Sequence, residues 1–336
     1  MSFLSFRFGS RAALLGLLGV LLASPPARAV SCTTGSQMSA AERDPIVQAA
    51  RTLGSQIQTG NTAAVRQSTI AQVAGQFDGV AANIQAIAPQ IQSATLTVNA
   101  VYALKATDLK STQDETQFFC SVPGSSLIVS VTIPQLPPGN YALAILRATG
   151  VEHPQHLSLI LENEGSTTPD WKLAGFFTRP LTAAGHDGVW YWTAARNYAQ
   201  KNQDWNAYFY YQTAAFLLNP ADFLSSPNLE KLQKETQAVR PPGLPGPNPL
   251  VVKAANDSFN ITSMRTDTFS GGLDLVINYQ TKDASDPVAT HTQIVELMKA
   301  VLAQHPELRQ AFHGLWVYAH GDNHTQYAIE LPMNQI

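Results

Sequence analysis

The sequence contains few charged residues. Only 13% of its 336 residues are Asp, Glu, Lys or Arg, about half the share in a typical soluble protein. The chain has 21 Lys and Arg residues against 24 Asp and Glu residues, so its formal net charge is −3. A chain without a basic excess lacks the field that recruits nucleic acid or an anionic membrane surface. We therefore expect no nucleic-acid partner.

Long apolar runs are also scarce. The longest, Ala12–Ala23, is shorter than the roughly 20 residues that span a bilayer. Two arginines precede it, and the small-residue pattern Ala27-Arg28-Ala29 follows it. This arrangement predicts a signal peptide over residues 1–29, with an uncleaved anchor as the alternative. The mature protein is then exported to the periplasm or the extracellular space and has no transmembrane segment.

Only two cysteines are present, Cys32 and Cys120, and they form no Cys-x-x-Cys redox motif. In an oxidising compartment such a pair favours a disulfide. Two buried free thiols are one alternative, and lipidation of Cys32 is another. We predict the disulfide, which ties the mature N-terminus to the first domain.

Recognisable catalytic motifs are absent from the sequence. It contains no Gly-x-Ser-x-Gly, no His-Glu-x-x-His, no phosphate-binding loop and no dinucleotide fingerprint. His186-Asp187 is an adjacent pair of the kind that performs acid–base work, but neighbours in sequence rarely point the same way. The start of a helix explains Asp187 as well. We expect no catalytic residues, and the missing motifs favour a protein without enzymatic activity.

The best candidates for metal binding are His320, Asp322 and His324, with His313 earlier in the same region. Imidazole and carboxylate groups suit zinc. The alternative is a polar hairpin tip, where Gly, Asp and Asn supply turn conformations. Zinc sites normally use three or four fixed ligands, more than this turn provides. We therefore predict no metal and no other cofactor.

Proline and glycine are concentrated at residues 240–249, whose sequence is RPPGLPGPNP. This composition predicts an extended linker that divides the chain. Before it, helical spacing over residues 39–94 gives way to strand patterns from Thr95 onwards. This order predicts an α+β fold. The predicted parts are an α+β domain (30–180), a helical hairpin with a third helix (181–239), the linker and a small α+β domain (250–336).

The first part resembles the NTF2-like (cystatin-like cone) superfamily over 40–180. The resemblance lies in the helices-then-sheet order and in the closing strand pair HLSLILENEGSTTPDWKLAGFF. It implies a curved sheet that serves as an enzyme, a ligand binder or an interaction module. A ligand-binding cone predicts an apolar pocket lined by Tyr102, Phe118, Tyr141 and Phe176.

The aromatic stretch 190–220 resembles one tetratricopeptide-type hairpin, with small and aromatic residues at matching positions: Ala195, Tyr198, Ala207, Tyr211, Ala214 and Leu217. One such unit cannot bury its own face. It must dock on the first domain or on the following helix, and we expect some surplus aromatic residues to attach it to the first domain. The others predict an interaction surface: Trp192, Trp205, Tyr208 and Tyr210.

From sequence, the leading hypothesis is an exported, non-catalytic protein that binds a protein partner in the cell envelope. The alternative is a cone that binds a small molecule or acts on it.

Overall fold

The computed structural model describes residues 30–254 and 257–336. The predicted signal peptide lies outside these residues. The described chain has an α+β fold, as predicted from the order of helical and strand patterns. None of its helices is long and apolar enough to cross a bilayer.

The first domain begins with a short strand, β1 (Ser31–Thr34), and a helical layer. The helices are α1 (Ala40–Gln58), α2 (Thr62–Gln67), α3 (Ala71–Ala74) and α4 (Asp78–Ile91). A capping box at Ser39 begins α1. The Ser39 side chain accepts a hydrogen bond from Glu42 N, and the Glu42 carboxylate accepts one from Ser39 N. This reciprocal pair satisfies helix N-terminal N–H groups that have no partner within the helix. Helix α4 continues through Pro89.

Six strands complete the first domain. They are β2 (Thr95–Lys105), β3 (Gln113–Ser121), β4 (Ile128–Leu136), β5 (Asn140–Thr149), β6 (Gln155–Asn163) and β7 (Trp171–Pro180). The main sheet is antiparallel, in the order β1-β2-β5-β6-β7. Strands β3 and β4 form a separate hairpin.

Both faces of the main sheet are covered. Along β5, Ala142, Ala144 and Leu146 belong to the core shared with α1 and α4. The alternate residues Leu143 and Ile145 belong to a second core, shared with β3 and β4. Because successive strand residues point to opposite faces, a strand buried on both sides reads as a continuous apolar run. The NYALAIL segment of β5 has that character.

The predicted disulfide is confirmed. Cys32 on β1 is bonded to Cys120 on β3, with a Cα–Cα distance of 4.9 Å. Cys120 is fully buried in the core between the two sheets. The bond therefore links the edge of the main sheet to the hairpin that covers it.

The middle of the chain is helical. It comprises β8 (Thr182–Ala183), β9 (His186–Asp187), α5 (Gly188–Gln200), α6 (Asp204–Leu218), β10 (Leu224–Ser225) and α7 (Pro227–Ala238). Asp187 caps α5, since its carboxylate accepts from Trp190 N at 2.8 Å. His186 stacks on Trp190 at 3.6 Å between ring centroids. Strand β10 pairs with β4, so this segment also contacts the first domain.

The last part is a five-stranded sheet with one long helix. Its elements are β11 (Leu250–Lys253), β12 (Ser258–Phe269), β13 (Gly272–Thr281), α8 (Pro287–Gln304), a 3-10 helix (Pro306–Gln310), β14 (Gly314–Gly321), β15 (Gln326–Pro332) and a second 3-10 helix (Met333–Gln335). The strands lie in sequence order. β13 and β14 are parallel, with α8 in the connection between them, and the other neighbours are antiparallel.

The helical hairpin packs on the C-terminal part of the chain, at the 3-10 helix after α8 and the residues that follow it. Phe209 and Tyr210 of α6 contact the Phe312 ring at centroid distances of 6.2 and 5.9 Å. Tyr210 also donates to Ala311 O at 2.6 Å. One continuous core joins α5, α6 and α7 to the C-terminal sheet and α8. One surplus aromatic residue contacts the first domain as predicted, since the Phe216 ring lies 4.4 Å from the Arg179 guanidinium of β7. The buried rings of α6 belong to the core shared with the C-terminal part, and the hairpin also packs on α7 as predicted.

Candidate functional site

The outer face of the C-terminal sheet carries a row of aromatic rings. Along β14, Leu315, Val317 and Ala319 are buried in the core with α8. The alternate residues Trp316, Tyr318 and His320 are only half-buried. Side chains two apart on a strand share a face. Residues 316, 318 and 320 therefore form the half-buried side of a sheet whose other side is core.

The rings stand close enough to make one surface. Phe269 at the end of β12 lies 5.2 Å from the Trp316 ring. The Trp316 and Tyr318 rings stack at 5.4 Å and 26°, and the Tyr318 and His320 rings at 6.4 Å and 16°. We call these four residues the aromatic face.

Polar groups fix the far end of this row. His320 Nε2 lies 2.8 Å from Asn278 Oδ1, and the Asn278 amide donates to Ser263 Oγ at 3.0 Å. Because the amide group donates to Ser263, its oxygen is free to accept from the imidazole. The pair therefore orients the ring of His320 in the row.

At the opposite end lies a cluster of two carboxylates and an imidazole: Asp274 of β13, Glu330 of β15 and His313, which directly precedes β14. Each contributes one potential ligand atom, and these atoms lie within 4.8 Å of one another. Asp274 Oδ1 is 3.1 Å from His313 Nδ1. Glu330 pairs across the strands with Trp316, so the cluster adjoins the aromatic face.

The two carboxylates of this acid–histidine cluster are poorly solvated. Asp274 is fully buried and Glu330 is half-buried. Burial raises the pKa of Asp274, against the lowering effect of His313 and the Gly314 amide. Burial and the nearby Asp274 raise the pKa of Glu330. Both groups are thus held in a site that disfavours two negative charges.

The predicted metal candidates do not converge. Asp322 Oδ1 accepts from the Gln280 amide at 2.7 Å, while His320 is bonded to Asn278. His320, Asp322 and His324 line a shallow cavity of about 460 Å³. Within 30–254 and 257–336, only Asp274, His313 and Glu330 bring three potential ligand atoms together. His313 therefore lies with Asp274 and Glu330, and not with the predicted candidates His320, Asp322 and His324.

The predicted interaction surface is largely interior. Trp205, Tyr208 and Tyr210 are more than nine-tenths buried, and Trp192 is half-buried with its Nε1 donating to Glu235 at 2.7 Å. The physical reason is that other parts of the chain cover the α6 face that one hairpin cannot bury: His305 lies 4.2 Å from the Trp205 ring, Phe312 contacts Tyr210, and Arg240 lies over Tyr208. Three of the four residues are therefore core, and they offer no free surface for a partner.

The residues predicted to line a cone pocket lie in different places. Phe118 and Tyr141 are buried in the core between the two sheets. Phe176 is buried on the helical side of the main sheet. Only Tyr102 lines an open cleft, of about 740 Å³, beside α1 and β2. These side chains fill the domain on both sides of its sheet.

A larger cleft of about 1130 Å³ separates the first domain from the C-terminal part. Gln155 and Pro180 line one wall, and Phe216, Arg265 and Thr268 line the other. Asp267, which also lines it, pairs across the strands with Asp274. The cleft and the acid–histidine cluster therefore flank the same end of β12 and β13.

Comparisons with protein-family models, curated proteins and solved structures found no match.

Proposed function

We propose that the protein is an exported, non-catalytic interaction module of the cell envelope, and that the aromatic face of its C-terminal sheet binds a protein partner. One observation carries this proposal: Trp316 and Tyr318 stack side by side, half-exposed, on the outer side of a sheet whose inner side is fully packed.

The composition of the face supports a protein partner. Trp and Tyr combine a large apolar ring with a polar tip, and with Arg they dominate the binding energy of protein interfaces. Arg265 lies on β12, the strand that also carries Phe269, and forms an ion pair with Asp267. Strand β15, at the rim of the face, is the last strand of the sheet in the described chain. Its free edge presents backbone groups that a partner segment is able to pair with.

Export is supported by the disulfide. Disulfides persist in oxidising compartments and are rare in the cytosol. The bond between Cys32 and Cys120 forms in the structure as the sequence predicted. Together with the predicted signal peptide, this favours a site of action in the periplasm or outside the cell.

The proposal is tested by photo-crosslinking. A crosslinking amino acid at Gln326, an exposed residue paired with His320 at the rim of the face, is expected to give one discrete adduct in envelope fractions. The double change Trp316→Ala and Tyr318→Ala should abolish that adduct, because it removes the two central rings. Circular dichroism of the double variant checks that the fold is retained.

The control places the same crosslinker at Val189, which is 58% exposed on α5. No adduct of the same mass is expected there. An adduct that persists in the double variant, or that forms equally from Val189, would contradict binding at the aromatic face. An adduct containing glycan rather than protein would contradict the class of partner.

A further inference from the structure

The acid–histidine cluster is built on three adjacent strands. Asp274 of β13 and Glu330 of β15 approach each other across β14, at the position of Gly314. A Cβ atom at this glycine would lie 2.5 Å from Glu330 Oε1 and 3.2 Å from Asp274 Oδ1. Only the absent side chain therefore leaves room for both carboxylates at this point of the sheet.

Two oxygens of the cluster have no hydrogen-bond partner in the described part of the chain. They are Asp274 Oδ2 and Glu330 Oε1, and both are buried. Buried carboxylates are normally paired, hydrogen-bonded or bound to a metal, since an isolated buried charge is strongly unfavourable. The side chain of Asp274 is fully buried and turned towards His313. A cation at this point would satisfy both oxygens and use the imidazole as well.

The donor set indicates which cation fits. One imidazole nitrogen with two carboxylate oxygens suits zinc, whereas calcium and magnesium prefer sets made only of oxygen. Zinc bonds of about 2.0–2.2 Å in tetrahedral geometry place neighbouring ligand atoms roughly 3.3–3.6 Å apart. The distance between His313 Nδ1 and Asp274 Oδ1 is 3.1 Å, close to that range, and all three potential ligand atoms lie within 4.8 Å of one another. We propose that Asp274, His313 and Glu330 form a zinc site with three protein ligands and one open coordination position.

The site is reachable from solvent. The His313 side chain is 39% exposed, while Asp274 closes the site from below. Glu330 pairs across the strands with Trp316, so the cluster adjoins the end of the aromatic face. The zinc site stands on the cluster alone, and it holds whether or not the aromatic face binds a protein.

Calorimetry on the full mature chain tests the site. After removal of metal with a chelator, titration with zinc chloride at pH 7.5 is expected to show one equivalent bound. Glu330→Gln and His313→Gln should each weaken zinc affinity at least tenfold, because each removes one ligand with little change in volume. His320→Gln, at the other end of the same strand, should leave zinc affinity unchanged. Calcium and magnesium should not compete.

Acid provides a second measurement that does not depend on variants. Zinc needs deprotonated carboxylates and a neutral imidazole, so the affinity is expected to fall as the pH is lowered from 7.5 to 5. Absence of stoichiometric binding would overturn the site. Equal loss of affinity in His320→Gln would overturn it too. If Glu330→Gln retains wild-type affinity for zinc, or raises the free energy of unfolding of a chain that binds no zinc, the site is also overturned. Asp274 and Glu330 would then share a proton instead of a metal ion.

Discussion

At the scale of single residues, His156 shows what burial does to a titrating side chain. It lies on β6 with little exposure, and its Nδ1 has no hydrogen-bond partner in the described chain. Burial lowers the pKa of His156 to about 4, and the nearby Arg147 adds to this effect. The folded protein therefore holds this imidazole neutral across the range in which an unfolded chain, with a pKa of about 6.5, takes up a proton.

We expect this difference to make the fold sensitive to acid. Stability rises with pH wherever the unfolded state binds more protons. The contribution of His156 to the free energy of unfolding is therefore complete above pH 6.5. It is lost as the pH falls towards 4, by up to about 3 kcal/mol. Urea unfolding at pH 7.5 and pH 4.5 measures the loss, and His156→Gln should reduce it.

The matched control for this prediction is His153→Gln, in the connection just before β6, where the side chain is 63% exposed. It should lose as much stability in acid as the wild type. A loss of stability in His156→Gln equal to that of the wild type would contradict the assignment to this residue.

The acid–histidine cluster shows the limit of sequence reasoning at this scale. The sequence places His313 in one region with His320, Asp322 and His324, which lie further along β14 and in the turn after it. Its real partner Asp274 lies 39 residues earlier. They meet because β13 and β14 run parallel with α8 in their connection. No local pattern specifies which strands become neighbours. A single glycine such as Gly314 also does not indicate, from sequence alone, that two carboxylates occupy the space beside it.

At the scale of elements, periodicity predicted most helices and strands. The alternation in LWVYAH is typical of a strand and coincides with β14, and a turn at Ser270-Gly271 joins β12 to β13. The same alternation is the sequence signal that places Trp316, Tyr318 and His320 on one face. Within the helical spacing of 39–94, the segment 61–73 is divided into α2 and α3, because Thr69 bridges to Leu173 of β7. That contact is long-range and leaves no local signal. The resemblances to the NTF2-like and tetratricopeptide families remain predictions.

The disulfide should stabilise the small sheet formed by β3 and β4. It closes a loop of 88 residues, for which the chain-entropy model gives about 4–5 kcal/mol. We expect Cys32→Ser with Cys120→Ser to lower the free energy of unfolding by this order. Urea denaturation of wild type and double variant measures the difference. Addition of a thiol reductant to the wild type should reproduce it, and an unchanged midpoint in both cases would contradict the prediction.

At the scale of the whole molecule, the hydrophobic cores do not follow the domain boundary that the sequence predicts at 240–249. The linker was predicted to separate a large first part from a small second one. Instead, the hairpin before the linker and the sheet after it share one core. The first domain has its own two cores. Sequence shows where a chain cannot form regular structure, but the surplus aromatic residues of α6 gave no indication of which surface covers them.

This division predicts which parts of the molecule lose stability together. Phe209 on α6 is fully buried against Phe312, so Phe209→Ala should cost about 3–5 kcal/mol. Because the core is shared, hydrogen exchange should then accelerate in β13 and β14 as well as in α6, while β5 and β6 stay protected. Ile57→Ala, in the helical core of the first domain, should show the reverse pattern. Faster exchange confined to α5 and α6 in Phe209→Ala would mean that the hairpin is stable independently of the C-terminal sheet, and would contradict a common core.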